Sequence, residues 1–167
     1  SQLNVIPLYA ARNKAVDHAR GEVICFLDCD DFMLPGRLSL IADTFSDASV
    51  HWMCTTYLKY VEQNRDFSQH KQKCVYGHID VTALISDYNV GILTCAYRKE
   101  IFTTLRFSEK FNIIGDYVFN ILCAAYYRGV FVDIATAIYI EHGQNISVTQ
   151  TAKTAALSDS VHIGTKP

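Results

Sequence analysis

Three aspartates stand within four positions of the sequence, at Asp28, Asp30 and Asp31. They directly follow residues 23–27, a short apolar run that fits a strand covered on both faces. Carboxylates this close repel one another unless a cation or hydrogen-bond donors compensate, and Mg²⁺ or Mn²⁺ often combines one or two carboxylates with substrate phosphates. Because ligands of open α/β sheets bind beyond the carboxyl ends of the strands, we predict a divalent-metal site at Asp28 and Asp30.

Asp31 has an alternative role as the N-cap of the helix that follows, and this is at least as well supported as a ligand role. For Asp28 and Asp30 together the capping explanation is weak, because one helix start does not need two further acids. Short acid-rich turns are common, so the cluster alone is a moderate signal.

The elements around this turn alternate between helical and strand patterns, which predicts an α/β fold with a largely parallel sheet flanked by helices. Residues 62–78 are polar and are predicted to form a loop, and the tail from Thr149 is predicted to be a helix with a frayed end. Helices are predicted over residues 10–20, from Pro35, over 80–86 and from Asp116 to Gly129, and strands over 23–27, 50–61, 91–97, 130–132 and 138–140.

The composition limits the function classes. With 167 residues, half of them apolar, the chain fits one domain, and a formal net charge of −2 argues against a nucleic-acid partner. The six cysteines lack CxxC pairs and zinc-finger spacing, so we interpret them as small core residues in a reducing compartment. We therefore expect a cytoplasmic protein, with a peripheral position at the inner membrane surface as an alternative.

The order of the motifs carries more information than the acids alone. Ala11-Arg12-Asn13, Gly21-Glu22, the apolar run, Leu27-Asp28-Cys29-Asp30-Asp31, and then Pro35 and Leu38 occur within residues 10–38. This order and spacing resemble the centre of the family 2 glycosyltransferases, which have the Rossmann-related GT-A fold. Less tightly, residues 112–117 resemble the family's second acidic site, and residues 139–142 with Asn145 and Ser147 resemble the segment that closes its active site.

The resemblance implies a function and assigns residues to it. Asp28 and Asp30 match the family's Asp-x-Asp motif, which binds Mn²⁺ or Mg²⁺ on the phosphates of a nucleotide diphosphate sugar. Asp116 matches the catalytic base of inverting members, which deprotonates the acceptor hydroxyl. The resemblance thus implies a metal-dependent inverting transfer of a sugar to a glycan or lipid-linked acceptor.

Other residues have two interpretations each. Asp116 also suits helix N-capping. His142 either completes the metal site or is a surface residue, and Arg12 and Asn13 either approach the donor or lie on the solvent face and at the cap of their helix. Trp52, Tyr57 and Tyr60 are candidates for an acceptor platform, but core packing is the favoured interpretation.

The resemblance also predicts how the chain is organised. Residues 1–167 are predicted to be a single partial domain lacking its first strands, with 1–61 as the rear of the nucleotide-sugar-binding half, 62–148 as the acceptor half and 149–167 as a tail. The loss of the nucleoside contacts and the exposure of a sheet edge would then weaken donor binding and favour self-association. A non-catalytic module that binds partners or itself is the second hypothesis. A phosphatase or nucleotidyltransferase is the third, because no nucleophile motif or Gly-rich phosphate loop is present.

Overall fold

The structure is a computed structural model and describes residues 6–70, 77–86 and 90–145. Predicted features at Cys74 and beyond residue 145, including Ser147 and the C-terminal helix, lie outside the described residues. The elements are α1 (Leu8–His18), β1 (Val23–Cys25), β2 (Phe32–Met33), α2 (Arg37–Phe45), β3 (Trp52–Val61), β4 (Asp66–His70), β5 (Gly77–His78), α3 (Val81–Ser86), a 3₁₀ turn (Ile92–Thr94), β6 (Cys95–Arg98), α4 (Ile101–Thr104), α5 (Gly115–Tyr126) and β7 (Gly129–Glu141).

Helices flank a mixed sheet, which confirms the α/β class. Within the described ranges the strand order is β1-β6-β3-β7-β2, with β4 beside β3 and β5 beside β7. The prediction of a largely parallel sheet is wrong, because only the β3–β7 pair among these strands is parallel. Alternating helix and strand patterns identify the strands but not their neighbours, and the short turn from β3 to β4 can join only antiparallel strands.

Several element boundaries differ from the sequence prediction. Residues 66–70 are not loop but pair with β3, and residues 129–141 form one continuous strand where two short ones were predicted. Helix α2 begins at Arg37 and not at Pro35, because Gly36 takes a left-handed conformation with φ of 85° just before it. Helix α5 begins at Gly115 and ends at Tyr126, before Gly129.

The larger of two buried apolar clusters is dominated by aromatic side chains. Trp52 stacks on Tyr97 with ring centroids 6.2 Å apart, and Phe107 packs on Phe119 at 4.3 Å. Trp52 is fully buried, so the core-packing interpretation is confirmed for it. Tyr57 and Tyr60 are half-buried and contact Tyr139 and Phe67 respectively.

The five described cysteines are thiols. Cys54, Cys95 and Cys123 are buried, as the interpretation as core residues requires, whereas Cys29 is exposed in the acidic turn. Among the helices that the structure describes, none combines the length and the apolar character needed to span a bilayer.

Candidate functional site

A cleft of about 480 Å³ lies where the acidic turn after β1, the first turns of α1 and α5, and the residues around the end of β7 meet. It is lined by four of the residues singled out from the sequence, Arg12, Asp28, Asp30 and Asp116. Asp31 also lines it, and His142 contacts Asp30 from the segment after β7. The fold thus gathers residues that are more than 100 positions apart in the chain.

Arg12 is buried, and one of its terminal nitrogens lies 2.9 Å from each carboxylate oxygen of Asp28. The guanidinium also lies 5.5 Å from the ring centroid of Tyr9 and 5.9 Å from that of Phe26. The solvent-face interpretation of Arg12 is therefore wrong. Tyr9, Arg12 and Val16 recur at helical spacing and form the buried face of α1, which places the cation beside the acidic turn.

Asp31 joins the acidic turn to β7. Its Oδ1 accepts a hydrogen bond from the backbone N–H of Ile140 at 3.1 Å, and the side chain is buried. The prediction that Asp31 caps a helix is wrong, because β2 and the left-handed Gly36 separate it from α2. Burial raises the pKa of Asp31 to about 6, with smaller contributions from the nearby charges of Asp30 and Asp28.

His142 lies in a turn that Asn145 closes. The Asn145 Oδ1 accepts the His142 backbone N–H at 2.5 Å, and its Nδ2 donates to the Ile140 carbonyl at 3.0 Å. The Nδ1 of His142 faces the backbone N–H of Gln144 at 3.2 Å, which assigns the proton of the neutral ring to Nε2. That Nε2 lies 3.2 Å from Asp30 Oδ2, to which it then donates.

A divalent metal fits the chemistry of this cluster in part. Asp28 and Asp30 offer the oxygen ligands that Mg²⁺ and Mn²⁺ take. However, Arg12 binds both oxygens of Asp28, and a proton on Nε2 of His142 occupies the nitrogen that faces Asp30. In the part of the chain that the structure describes, no three His, Cys, Asp or Glu side chains are arranged as a metal site. The metal roles of Asp28, Asp30 and His142 stay predictions.

Asp116 lies in the first turn of α5, two residues after Ile114, which occupies the N-cap position. The N-cap interpretation is therefore wrong, although its Oδ1 accepts the Tyr117 backbone N–H at 3.0 Å. Burial raises the pKa of Asp116, and the positive charge of Arg12 is the largest opposing influence. A carboxylate with a raised pKa at the wall of a cleft is suited to accept a proton near neutral pH.

Asn13 does not face this cleft. Its amide nitrogen donates to the Phe107 carbonyl at 3.0 Å and to Glu109 at 3.1 Å, and its oxygen accepts the Phe107 backbone N–H at 3.1 Å. It lies in the middle of α1, so it does not cap that helix either. Its predicted contact with the donor has no support in this arrangement.

Residues 5–131 match the family model described as glycosyl transferase family 2. The chain belongs to glycosyl transferase family 2. This confirms the resemblance drawn from the motifs of residues 10–38, and the matched segment includes Asp28, Asp30 and Asp116. His142 and Asn145 follow the matched segment.

Solved structures support the fold of this family 2 domain. S. aureus TarS 1-349 in complex with UDP-GlcNAc is 21% identical, with a TM-score of 0.65 over 88% of this chain and 43% of that one. The corresponding complex with UDP is 20% identical, with a TM-score of 0.62 over 84% and 43%. The domain thus spans less than half of these relatives. No curated protein matches the chain.

A second concavity of the family 2 domain, of about 560 Å³, contains none of the predicted site residues. Its lining mixes both charges, and three of its cations are already engaged, with Arg98 donating to the Val50 carbonyl at 2.7 Å. Lys99 donates to the Ala19 carbonyl at 2.6 Å, and Arg106 pairs with Asp17 at 2.6 Å. Although this concavity is larger, its chemistry is that of a salt-bridged surface, so the acidic cleft is the candidate site.

Two residues of the site have roles that the sequence did not predict. Tyr9 contacts Asp116, and its spacing of three residues from Arg12 was the signal that both share one helix face. Asn145 was noted as part of a resembling segment, but its role in closing the turn at His142 was not. Such a role depends on the turn that follows β7, which the sequence pattern did not predict.

Proposed function

We propose that this domain acts in the metal-dependent, inverting transfer of a sugar from a nucleotide diphosphate sugar to a hydroxyl of a glycan or lipid-linked acceptor. The observation that carries the proposal is the cleft in which Arg12 and the acidic turn lie together with Asp116. The pairing of a diphosphate-binding side with a half-buried carboxylate is what such a transfer requires.

The donor side of the cleft is the acidic turn with Arg12. The TarS structures with UDP and UDP-GlcNAc share this fold and favour a uridine diphosphate sugar as the donor class. Asp28 and Asp30 would hold Mn²⁺ or Mg²⁺, with His142 as a third candidate ligand in the neutral tautomer that carries its proton on Nδ1. When bound, the metal supplies a Lewis acid for the charge of the departing nucleoside diphosphate. Arg12, released from Asp28, has the planar fork that suits a phosphate.

The acceptor side is the wall formed by α5 and the residues before it. Asp116 would accept the proton of the attacking hydroxyl, and its half-buried position shields the carboxylate partly from bulk water. Residues 103–115, which include Asn112 and Ile113 at the cleft, would help to line this side.

Donor binding can be tested by thermal unfolding of the natural protein that carries this chain. Uridine diphosphate with Mn²⁺ at about 100 times Kd should stabilise the folded state by about 2.7 kcal/mol, which raises the Tm by roughly 5–10 °C. Asp30→Asn should abolish the increase, whereas Asp133→Asn, an exposed β7 carboxylate outside the cleft, should retain it. Equal Tm increases in both variants would contradict the assignment of the donor side.

The base can be tested separately. Asp116→Asn should lower kcat by about 10²–10⁴ while the Tm increase with uridine diphosphate persists, because the acceptor-side carboxylate does not hold the donor. Near-normal turnover by this variant would remove Asp116 from the reaction without affecting the donor-binding assignment.

A binding module is the second candidate, and one observation favours it. Among the described strands, β1 pairs only with β6, so its other edge is open to a strand of a second copy or a partner. Sedimentation at rising protein concentration would detect self-association. An Asp30→Asn variant that associates normally but no longer responds to uridine diphosphate would show that the two functions are independent.

A further inference from the structure

Tyr9 is a buried residue of α1 whose phenol reaches the candidate base. Its side chain is 2% exposed, and its ring stacks on Phe107 with centroids 5.9 Å apart. The phenolic oxygen lies 3.2 Å from Asp116 Oδ1 and 2.5 Å from the Ile113 carbonyl oxygen. One hydroxyl therefore faces both the base and the backbone just before α5.

Gly115 makes room for this arrangement. A Cβ at position 115 would lie 2.6 Å from Cε2 and 2.7 Å from both Cδ2 and Cζ of Tyr9. These distances are too short for any side chain, so the tyrosine ring occupies the space next to Asp116 that a non-glycine residue would fill. The Gly115-Asp116 pair and Tyr9 form one packing unit, although 106 positions separate Tyr9 from Gly115 in the sequence.

We propose that Tyr9 is a positioning residue for Asp116, which it holds by a hydrogen bond so that the ionised carboxylate is directed into the cleft. The inference rests on the proposed function, because Tyr9 acts on Asp116, the residue that the proposed function assigns as the base. Tyr9 does not touch the reacting atoms in this assignment, and it acts only through Asp116.

The single phenolic proton can serve only one of its two acceptors at a time. The Ile113 carbonyl is the nearer acceptor, but an ionised carboxylate is the stronger one, so in this proposal the phenol donates to Asp116 while Asp116 is ionised. Once Asp116 carries the proton of the acceptor hydroxyl, the phenol donates to the Ile113 carbonyl, and the new carboxyl proton can face the phenolic oxygen. Burial and the Asp116 charge raise the pKa of Tyr9, so the phenol keeps its own proton throughout.

The other groups around Asp116 do not replace this contact. Arg12, also on α1, favours the ionised carboxylate by its charge, but it is hydrogen-bonded to Asp28. The thiol of Cys95 on β6 is buried with its pKa raised to about 11, so it stays neutral in the working range. The hydrogen bond from Tyr9 therefore adds to the effect of Arg12 in favouring the ionised form.

The test is a titration of the Asp116 carboxyl by ¹³C NMR in the natural protein that carries this chain, with Asp116→Asn used to assign the signal. Tyr9→Phe keeps the ring and removes the donor, so the Asp116 midpoint should rise by about half to one pH unit. The acidic limb of the pH profile of kcat/KM should shift to higher pH by the same amount. Tyr126→Phe is the control, because it removes the hydroxyl of a side chain that is 72% exposed at the end of α5, the helix that carries Asp116. It should leave the Asp116 midpoint and the kcat/KM profile unchanged.

An Asp116 midpoint that stays in place or falls in Tyr9→Phe would overturn the inference. Because the NMR titration needs no turnover, it decides the role of Tyr9 even if Asp116→Asn proves fully active and the base assignment fails. As a second variant, Gly115→Ala should displace the ring and raise the midpoint as well. Tyr9→Phe should then add almost nothing in the Gly115→Ala background, whereas fully additive shifts would contradict a shared unit.

Discussion

At the scale of single residues, the three aspartates of the acidic turn differ in the groups that offset their negative charges. Arg12 compensates Asp28 with a paired hydrogen bond, and His142 donates to Asp30. Asp31 accepts one backbone N–H and has no cation within hydrogen-bonding distance in the described structure. Burial therefore acts most strongly on Asp31, whose pKa rises from 3.8 to about 6.

This difference predicts how stability depends on pH in metal-free protein. Because the pKa of Asp31 is higher in the folded state, its stabilising contribution is complete below about pH 4 and is lost as the pH rises through about 6. Asp31→Asn keeps an oxygen for the Ile140 N–H and carries no charge. Its free energy of unfolding relative to wild type should therefore increase by on the order of 1–3 kcal/mol between pH 4 and pH 7.5.

Urea unfolding in chelator-containing buffer measures this difference. Asp133→Asn serves as the control, because it removes an exposed carboxylate from β7 and should follow the wild-type pH dependence. If wild type and Asp31→Asn changed in parallel from pH 4 to 7.5, Asp31 would titrate normally in the folded protein.

At the scale of elements, α1 contacts both sides of the cleft, the acidic turn and the start of α5. Its buried face contacts the acidic turn through Arg12 and the start of α5 through Tyr9. Asn13, the next residue along, holds the segment 107–109 by accepting one backbone hydrogen bond and donating another. The helix thus fixes the spacing between the donor and acceptor sides.

Asn13→Ala separates this structural role from the predicted donor contact. The substitution leaves the Phe107 N–H and C=O without their partner, so the free energy of unfolding should fall by about 1–3 kcal/mol. The Kd for uridine diphosphate with Mn²⁺ should change less than twofold under conditions where the protein is folded. Urea unfolding and calorimetric titration measure the two quantities.

Lys14→Ala is the matched control for Asn13, because it truncates an exposed neighbour on the same helix. It should alter neither the free energy of unfolding nor the Kd for uridine diphosphate with Mn²⁺. A tenfold loss of nucleotide affinity in Asn13→Ala, with unfolding energy close to wild type, would restore the donor-binding role predicted from the sequence.

At the scale of the whole molecule, the long parallel pairing of β3 with β7 connects the core to the cleft. The pairing runs from Trp52 opposite Gly129 to Val61 opposite Glu141. One end lies in the aromatic core, and Ile140 near the other end binds Asp31. A register shift at Thr55–Tyr57 lies between these two ends, so packing around Trp52 acts first on the start of β7.

Gly129→Ala tests how tightly Trp52 packs against the start of β7. The added Cβ would lie 2.4 Å from Nε1 of Trp52 and 2.5 Å from its Cε2, so the ring or the strand must move. Overpacking of this kind should lower the free energy of unfolding by about 1–3 kcal/mol. Since Trp52 is the single tryptophan of the chain, its fluorescence reports the displacement directly.

Gly143→Ala is the control for the glycine substitution, because no atom lies within 4 Å of its added Cβ. Its unfolding energy and tryptophan spectrum should match wild type. If Gly129→Ala gave the same result as Gly143→Ala, the packing of Trp52 against the start of β7 would not be tight.

The sequence by itself determined the family, the α/β class and four of the residues that gather in the cleft, Arg12, Asp28, Asp30 and Asp116. The order of Ala11-Arg12-Asn13, the apolar run and Asp28-Cys29-Asp30 is local information, and the segment lies within the residues that match the family. Local signals of this kind survive in a single chain, because apolar runs and helical spacing reflect neighbours a few residues away.

Only the tertiary structure decided how those residues are paired. The contacts of Asp31 with Ile140, Asp30 with His142 and Tyr9 with Asp116 join positions that are 109, 112 and 107 residues apart. Such pairs depend on which strands become neighbours and in which direction, and the predicted largely parallel sheet had this wrong. Strand order and direction follow from the closure of loops and the packing of the whole core, which periodicity along the chain does not encode.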